Sequence, residues 1–557
     1  MKTIAESAFN HNGSLTYTLE LAEAAKNAGA DYFTVQVMDV AAFCVEDYSK
    51  YEIYENNTLS FEAWIKVFEH CRELNLALIP CVLDIPSFDF CYAEGFRFLK
   101  LHATDITNKT MLDKMSEYKD VTFILETQCA THLEIKFALD IIGDQVECLM
   151  HGFSNYPTEV EDLNLNTLDY FKNEFPQYRT GMADHSLDTT AIPLMILAKG
   201  CTFIEKHITL TRNNRQFDYQ VSLYPHEFAV MVQQIKHYNQ AIGNYKKHPT
   251  KTELPYRDVM YKKVLGDGEF KRADAGLDYI SSQFSSFEKS DVGVALIARL
   301  KSKRLPLKVL KPFGGTNMID FLYQRLKTST KVKDVFLATS TLTEDTPLAK
   351  VGENHGHKVF RGHAVSVIDR MLELSFQEQW GAVFRVTGDN PFTDPTLLDE
   401  MIGMLVDNDL DYVRANNVPF GVSAELFSTK YLWNLYLNMD NPMHSEYLTL
   451  FILNDHQAKK GCINIDSDIE NLRYINLSVD YSEDYQQALK LSERLGATKE
   501  AKFNLKDILG VIDDLKREDP DKSVKLPAGE EIPFSEFLYR LENQKYSVSK
   551  TLRYGRP

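Results

Sequence analysis

The stretch TTAIPLMILAKGCTFIEKHITL (189–210) runs an apolar helical pattern straight into a short apolar strand that closes on His207. The same unit recurs upstream. LTYTLELAEAAKNAGA (15–30) precedes DYFTVQV (31–37), and FEAWIKVFEHCRELN (61–75) precedes LALIPCVL (76–83). Helix followed by strand, repeated at this spacing, requires parallel strands joined by crossover helices. About eight such units fit before residue 240, which predicts a TIM-like (β/α)8 barrel over 1–245.

Beyond it, KKHPTKTELPYRDVMYKK onward is polar and basic, breaks the rhythm, and reads as a linker over 246–290. A second α/β series opens at VGVALIA (292–298) and continues through VFLATST (335–341), AVFRVTG (382–388) and LDYVRAN (410–416). That series predicts an open doubly wound, Rossmann-like domain over 291–498. Residues 499–557 are helical in pattern, interrupted by KREDPDKSVKLPAGEE, and read as a short helical tail.

A chain of 557 residues has room for two large cores. Its formal charge of -18 argues against a broad nucleic-acid surface. No apolar run approaches the roughly 20 residues that span a bilayer, so no membrane association is expected. The start, MKTIAESAFNHNGS, lacks the apolar core of a secretory signal, which makes a cytoplasmic location the expectation. Eight cysteines without a CxxC pair suggest reduced, mostly buried thiols.

Small anionic substrates need local cations in so acidic a chain. The loop ARLKSKRLPLKVL (298–310) supplies Arg299, Lys301, Lys303, Arg304 and Lys308 directly after a predicted strand, where doubly wound folds bind nucleotides. Asp389 in FRVTGDNPFTDP follows another strand, and Asp480 in NLSVDYSEDY ends a further apolar run. Two carboxylates at strand ends suit metal-assisted nucleotidyl transfer.

The ordered set ARLKSKRLPLKVLKPFGG, LATSTLTEDTPLA, VFRGHAVSVIDR, RVTGDNPFTDP and SVDYSEDY resembles the spore-coat polysaccharide cytidylyltransferases, relatives of the enzymes that activate sialic acids. The resemblance implies transfer of CMP from CTP to a 2-keto-3-deoxy sugar acid. It further implies that Arg299, Lys303, Arg304, Lys308, Thr339 and Ser340 bind the nucleotide, that Asp389 and Asp480 hold Mg²⁺, and that Arg385, with Arg299 and Lys308, serves catalysis. One departure is Leu307, where the family usually has glycine.

In the first half, His185 in GMADHSLD and His207 in FIEKHITL each close an apolar strand, where a barrel builds its active face. TIAESAFNHNGS, GADYFTVQV, MHGFSNYPTEVEDLNL, GMADHSLD and FIEKHITLTR together resemble the sialic acid synthase family. Those barrels condense phosphoenolpyruvate with an N-acylated amino-sugar aldehyde. The resemblance implies that His185 and His207 hold Mn²⁺ or Mg²⁺. Glu6 then serves catalysis, and Gln36, Lys100, Asn155, Tyr156 and Asp218 line the substrate pocket. It also implies a homo-oligomer, as family barrels are commonly dimers.

The departures cluster on the donor phosphate. Thr34 stands where the family has lysine, and Ala103 and Thr104 replace its serine and glycine after Lys100. A further lysine is missing near Val121. Glu126, Thr127 and Gln128 stand for Ser-Thr-Gly, and Ala183 for the serine before Asp184 and His185. Each lost lysine removes charge-assisted bonds of roughly 1.5 to 3 kcal/mol. Either Lys100, Lys206 or Arg212 compensates, or the barrel is a degenerate binding or scaffold module beside an active cytidylyltransferase. The family's small carboxy-terminal antifreeze-like domain has no counterpart in this reading. A nucleotidyltransferase for another nucleotide or sugar is the remaining rival.

Overall fold

The computed structural model describes the chain except for residues 214–216, 244–246, 267, 303, 440, 443–447, 454, 499–501, 513–514, 516–517, 526–529 and 555–557. It divides into two compact units, Met1–Tyr245 and Lys246–Pro557.

In the first unit eight parallel strands close a barrel: β1 (Lys2–Glu6), β2 (Tyr32–Val37), β3 (Ala77–Val82), β4 (Phe98–Leu101), β5 (Thr122–Glu126), β6 (Val146–Gly152), β7 (Arg179–Ala183) and β8 (Phe203–His207). Closure pairs Lys2 with Phe203 and Glu6 with His207. The strands are buried along most of their length, including polar residues such as Glu6, Lys100 and Glu205. Ile4, Ile79, Ile124, Cys148, Met150 and Phe203 fill the lumen, while Phe33, Val35, Leu99 and Phe123 pack outward into the main core of the unit. Glu6, Glu126 and His207 are the final residues of their strands, so side-chain alternation and strand length deliver them to the carboxyl-end face. The turn after β5 is fixed by a capping box, in which the Thr131 backbone N–H donates to Glu134 Oε2 at 2.7 Å.

The second unit is built on a sheet of eight strands: β9 (Val292–Ile297), β10 (Asp334–Ser340), β11 (Lys358–Gly362), β12 (Ala382–Thr387), β13 (Tyr412–Asn416), β14 (Glu425–Ser428), β15 (Lys460–Ser467) and β16 (Val548–Tyr554). Their order is β11-β10-β9-β12-β14-β13-β15-β16. Only β14 runs antiparallel to its neighbours. Helix Val367–Glu378 packs Ile368, Met371 and Leu372 against the β9 and β12 face, in a cluster with Ala295, Trp380 and Val383.

Two sequence expectations change here. The 246–290 stretch holds helices Leu254–Met260 and Tyr279–Ser286 and a short hairpin, and it belongs to the second unit. Phe284 is buried beside Trp433, whose Nε1 donates to Ser281 Oγ at 2.9 Å. Its polar average hid a few aromatic anchors. The 499–557 stretch likewise adds more than helix, since β16 pairs in parallel with β15 from Gly461–Val548 to Ser467–Tyr554. VSKTLRY lies at a sheet edge with mostly polar side chains, so no apolar run announced it. Among the described residues, no helix is long and apolar enough to cross a membrane.

Candidate active sites

The loop after β9 and the loop after β12 meet over the sheet's carboxyl edge. Gly388 allows the approach, because a Cβ there would lie 2.9 Å from Ala298 Cβ and 3.0 Å from Ile319 Cδ1. Arg299, Arg304, Lys308, Arg385 and Asp389 line one cavity. At its centre Lys308 Nζ donates to Asp389 Oδ2 at 2.6 Å and to Asp480 Oδ1 at 2.9 Å. Arg304 adds a 3.0 Å bond to Asp480. Burial alone would lower the Lys308 ammonium, but Asp389 and Asp480 outweigh it and hold it above its ordinary value. Two carboxylates already converge on one positive charge, and this donor set fits a divalent cation.

Several expected residues take other places. Asp480 lies in the loop before helix Ser482–Arg494, not at a strand end; its backbone N–H donates to Asp484 Oδ2 at 3.0 Å. The apolar run before it packs as irregular chain, with Leu477 and Val479 in the core. Thr339 and Ser340 are fully buried and outside the cavity lining. Ser340 bonds Asp345, which accepts from the Leu300 backbone N–H at 2.7 Å and faces Arg299 Nε at 3.5 Å. They brace the basic loop from beneath. Lys303 lies outside the described residues. Leu307 adopts the left-handed backbone that favours glycine, with φ of 54° and an exposed side chain. The left-handed conformation costs a non-glycine residue roughly 1 to 2 kcal/mol.

Sequence reading missed Arg370. It is buried, lines the cavity, and donates to Ala338 O at 3.2 Å. Gly362 leaves it room, since a Cβ would lie 2.9 Å from Arg370 Cγ. An arginine inside the apolar face of VIDRMLELS was the available signal.

In the barrel, Lys100 is almost wholly buried and bound by three carboxylates: Glu6 at 2.6 Å, Glu205 at 2.9 Å and Glu126 at 3.1 Å. Burial pulls the ammonium down, but Glu126, Glu205 and Glu6 hold it well above its ordinary value. Glu205 is pushed up to about 8 by burial and by its neighbours Glu6 and Glu126. Burial would raise Glu126 too, yet Lys100 and His102 bring it below its ordinary value. Glu205, placed by the alternation Phe203, Glu205, His207, was legible in FIEKH but passed over for the histidine.

His185 and His207 stand with ring centroids 5.0 Å apart, and the Tyr156 ring lies 4.7 Å from His185. Burial lowers both imidazoles, keeping them neutral. His185 Nδ1 meets Phe153 O at 2.5 Å, leaving Nε2 for another partner. His207 Nδ1 is buried without a hydrogen-bond partner, 3.8 Å from Asp218 Oδ2. Asp218 is pushed up to about 6, by burial and by Glu6. The orphaned nitrogen and paired neutral rings fit a metal. Among the described residues no three His, Cys, Asp or Glu side chains group as a metal site, so the two imidazoles are the candidate protein ligands here. Asn155 is exposed on the loop after β6, and Gln36 is half-buried on β2.

The expected compensating cations are committed elsewhere. Lys206 points away from Glu205 and His207 on its strand and pairs with Asp184 at 2.8 Å. Arg212 pairs with Glu227 and donates to Ser222 O at 2.7 Å.

Comparison with known proteins divides the chain at the same place. The NeuB family profile matches residues 21–247 and the cytidylyltransferase profile matches 294–509. An uncharacterised protein of Methanocaldococcus jannaschii is 30% identical over 279 residues, 49% of this chain and 82% of that protein. The N,N'-diacetyllegionaminic acid synthase of Legionella pneumophila is 29% identical over 282 residues, 47% of this chain and 78% of the synthase. Spore coat polysaccharide biosynthesis protein SpsF of Bacillus subtilis is 32% identical over 214 residues, 37% of this chain and 88% of its own. The chain therefore belongs to two families at once, to the NeuB family through its barrel and to the cytidylyltransferase family through its carboxy-terminal unit.

Proposed function

We propose that the chain makes a nonulosonic acid and then activates it. In the barrel, C3 of phosphoenolpyruvate bonds to the aldehyde carbon of an N-acylated amino sugar, water adds at C2, and inorganic phosphate leaves as its bond to the C2 carbon breaks. The second unit joins the anomeric oxygen of the resulting 2-keto-3-deoxy acid to the α-phosphorus of CTP, as the bond from that phosphorus to the leaving pyrophosphate breaks.

The observation that carries the reading is the convergence of Asp389 and Asp480 on one ammonium, within a ring of arginines. Those two carboxylates would hold Mg²⁺, which when bound supplies charge neutralisation at the α-phosphate. Arg299 and Arg304 bind the outer phosphates, and Lys308 turns to the phosphates from the carboxylates it now bridges. Arg385, braced by Glu425 at 2.9 Å, orients the reacting ends.

In the barrel His185 and His207 would hold Mn²⁺ or Mg²⁺, whose chemistry is polarisation of the aldehyde carbonyl. Glu205, pushed up to about 8, adds little negative charge at neutral pH, and Lys100 offsets part of the charge of Glu6, Glu126 and Asp218. A divalent ion held by the two histidines would offset remaining carboxylate charge and favour an anionic donor. Glu6 and Tyr156 line the pocket around the reacting carbons.

One observation favours a second reading, in which the barrel binds without turning over. Glu126 stands where the family's phosphate-binding serine is expected and is tied to Lys100 at 3.1 Å. Phosphate release from phosphoenolpyruvate with an N-acyl amino sugar separates the two.

The nucleotidyl half is tested by Asp389→Asn. Pyrophosphate release from CTP and a sugar acid should fall roughly a hundredfold, with the melting profile unchanged. Full activity would remove Asp389 from the metal site.

A further inference from the structure

Beside the nucleotide cavity the second unit holds another, and Arg385 and Thr387 line both. β13 presents Tyr412, Arg414 and Asn416 to it, alternate residues on one face of the strand. Two atoms in this polar wall are buried without hydrogen-bond partners, Nη1 of Arg414 and Oδ1 of Asn416. Glu425 of the same cavity already acts on Arg414 as a charge partner, and the guanidinium N–H left without an acceptor suits a further carboxylate.

The facing wall comes from helix Phe534–Glu542, which contributes Phe537, Leu538 and Leu541. This helix lies beyond residue 509, where the family match ends. It is firmly seated. Phe534, Leu538 and Leu541 cluster with Phe420 and Tyr474, Glu542 pairs with Arg473, and the Tyr546 hydroxyl donates to Leu541 O at 2.9 Å. β16 then ties the chain to the sheet immediately afterwards.

We propose that helix Phe534–Glu542 is the specificity wall of the acceptor pocket and selects a sugar acid bearing an apolar acylamido or deoxy substituent. The proposal rests on the reading of this unit as a CMP-sugar-forming enzyme. An acid edge facing Arg414 turns the opposite edge of the sugar toward Phe537 and Leu541. A hydroxyl there would lose its water with no partner in return, whereas an acyl methyl or a deoxy carbon gains contact.

The test uses the full chain with CTP and two 2-keto-3-deoxy acids, one bearing acylamido and deoxy groups and one hydroxylated throughout. In Leu541→Ala the KM for the acylated acid should rise about tenfold, while the KM values for CTP and for the hydroxylated acid stay within about twofold. Equal losses on both acids, or no loss on either, would overturn the proposal. If Leu541→Ala disturbs CTP binding, Phe537→Ala on the half-buried part of the wall decides by the same criterion. Absence of pyrophosphate release by the parent chain with both acids would instead refute the reading of the unit, and the wall with it.

Discussion

Lys100 shows how much one substituted position changes a site. Burying an ammonium is costly unless carboxylates surround it, and three do. The third, Glu126, replaces a neutral hydroxyl expected from the resemblance, so the pocket floor is acidic before any ligand arrives. On the function proposed above, His185 and His207 would hold the cation that offsets this charge. His207→Ala should lower the metal content of the purified protein by one ion per chain and leave pyrophosphate release from CTP and sugar acid unchanged; equal metal content in both proteins would refute the two-histidine site. The same cluster gives the barrel a pH signature. Glu205 moves from 4.5 up to about 8 on folding. An acid raised in this way favours the folded state while it holds its proton, so that contribution is complete below pH 4.5 and is lost as pH rises through 8. Asp218, raised to about 6, acts in the same direction over a lower range. Glu205→Gln should therefore flatten the decline of the barrel's thermal midpoint across this window, and an unchanged slope would show that Glu205 titrates normally.

Among elements, β9 depends most directly on a single small residue. Gly293 faces Trp380, and an added Cβ would fall 2.1 Å from its ring. Trp380 is fully buried and cannot retreat. Gly293→Ala should destabilise the second unit by about 1 to 3 kcal/mol, seen in calorimetry as a lower transition temperature; an unchanged transition would contradict the close approach of Gly293 to Trp380. Elements with strong apolar runs were legible in the sequence. VGVALIA and AVFRVTG became β9 and β12, and FIEKH became β8. β14 and β16 were not, because ELFS is short and VSKTLRY is an edge strand whose alternation is mostly polar. The site divides on the same physics. Strand-end residues such as His207 and the loop cations announced themselves by position, whereas Asp480 was misplaced on a strand because irregular chain can bury Leu477 and Val479 as well as a strand can. Arg370 escaped because its helix looks like ordinary packing until the cavity beside it is seen.

At the scale of the whole molecule, two units of consecutive chemistry share one chain, and covalent linkage raises the local concentration of whatever passes between them. The acidic pocket of the barrel and the basic ring of the second unit sort their ligands oppositely. The first sets Glu6 and Glu126 around Lys100, while the second sets Arg304 and Lys308 against Asp389 and Asp480. The central claim is that both halves work in sequence. It is tested most directly by incubating the full chain with phosphoenolpyruvate, an N-acylated amino-sugar aldehyde, CTP, Mg²⁺ and Mn²⁺, with no sugar acid added, and detecting the CMP-sugar by mass spectrometry. The account predicts a CMP-linked nine-carbon acid whose first three carbons carry label supplied in phosphoenolpyruvate. A CMP-sugar that forms only when a finished sugar acid is supplied would contradict it, leaving the barrel as a binding module beside a working cytidylyltransferase.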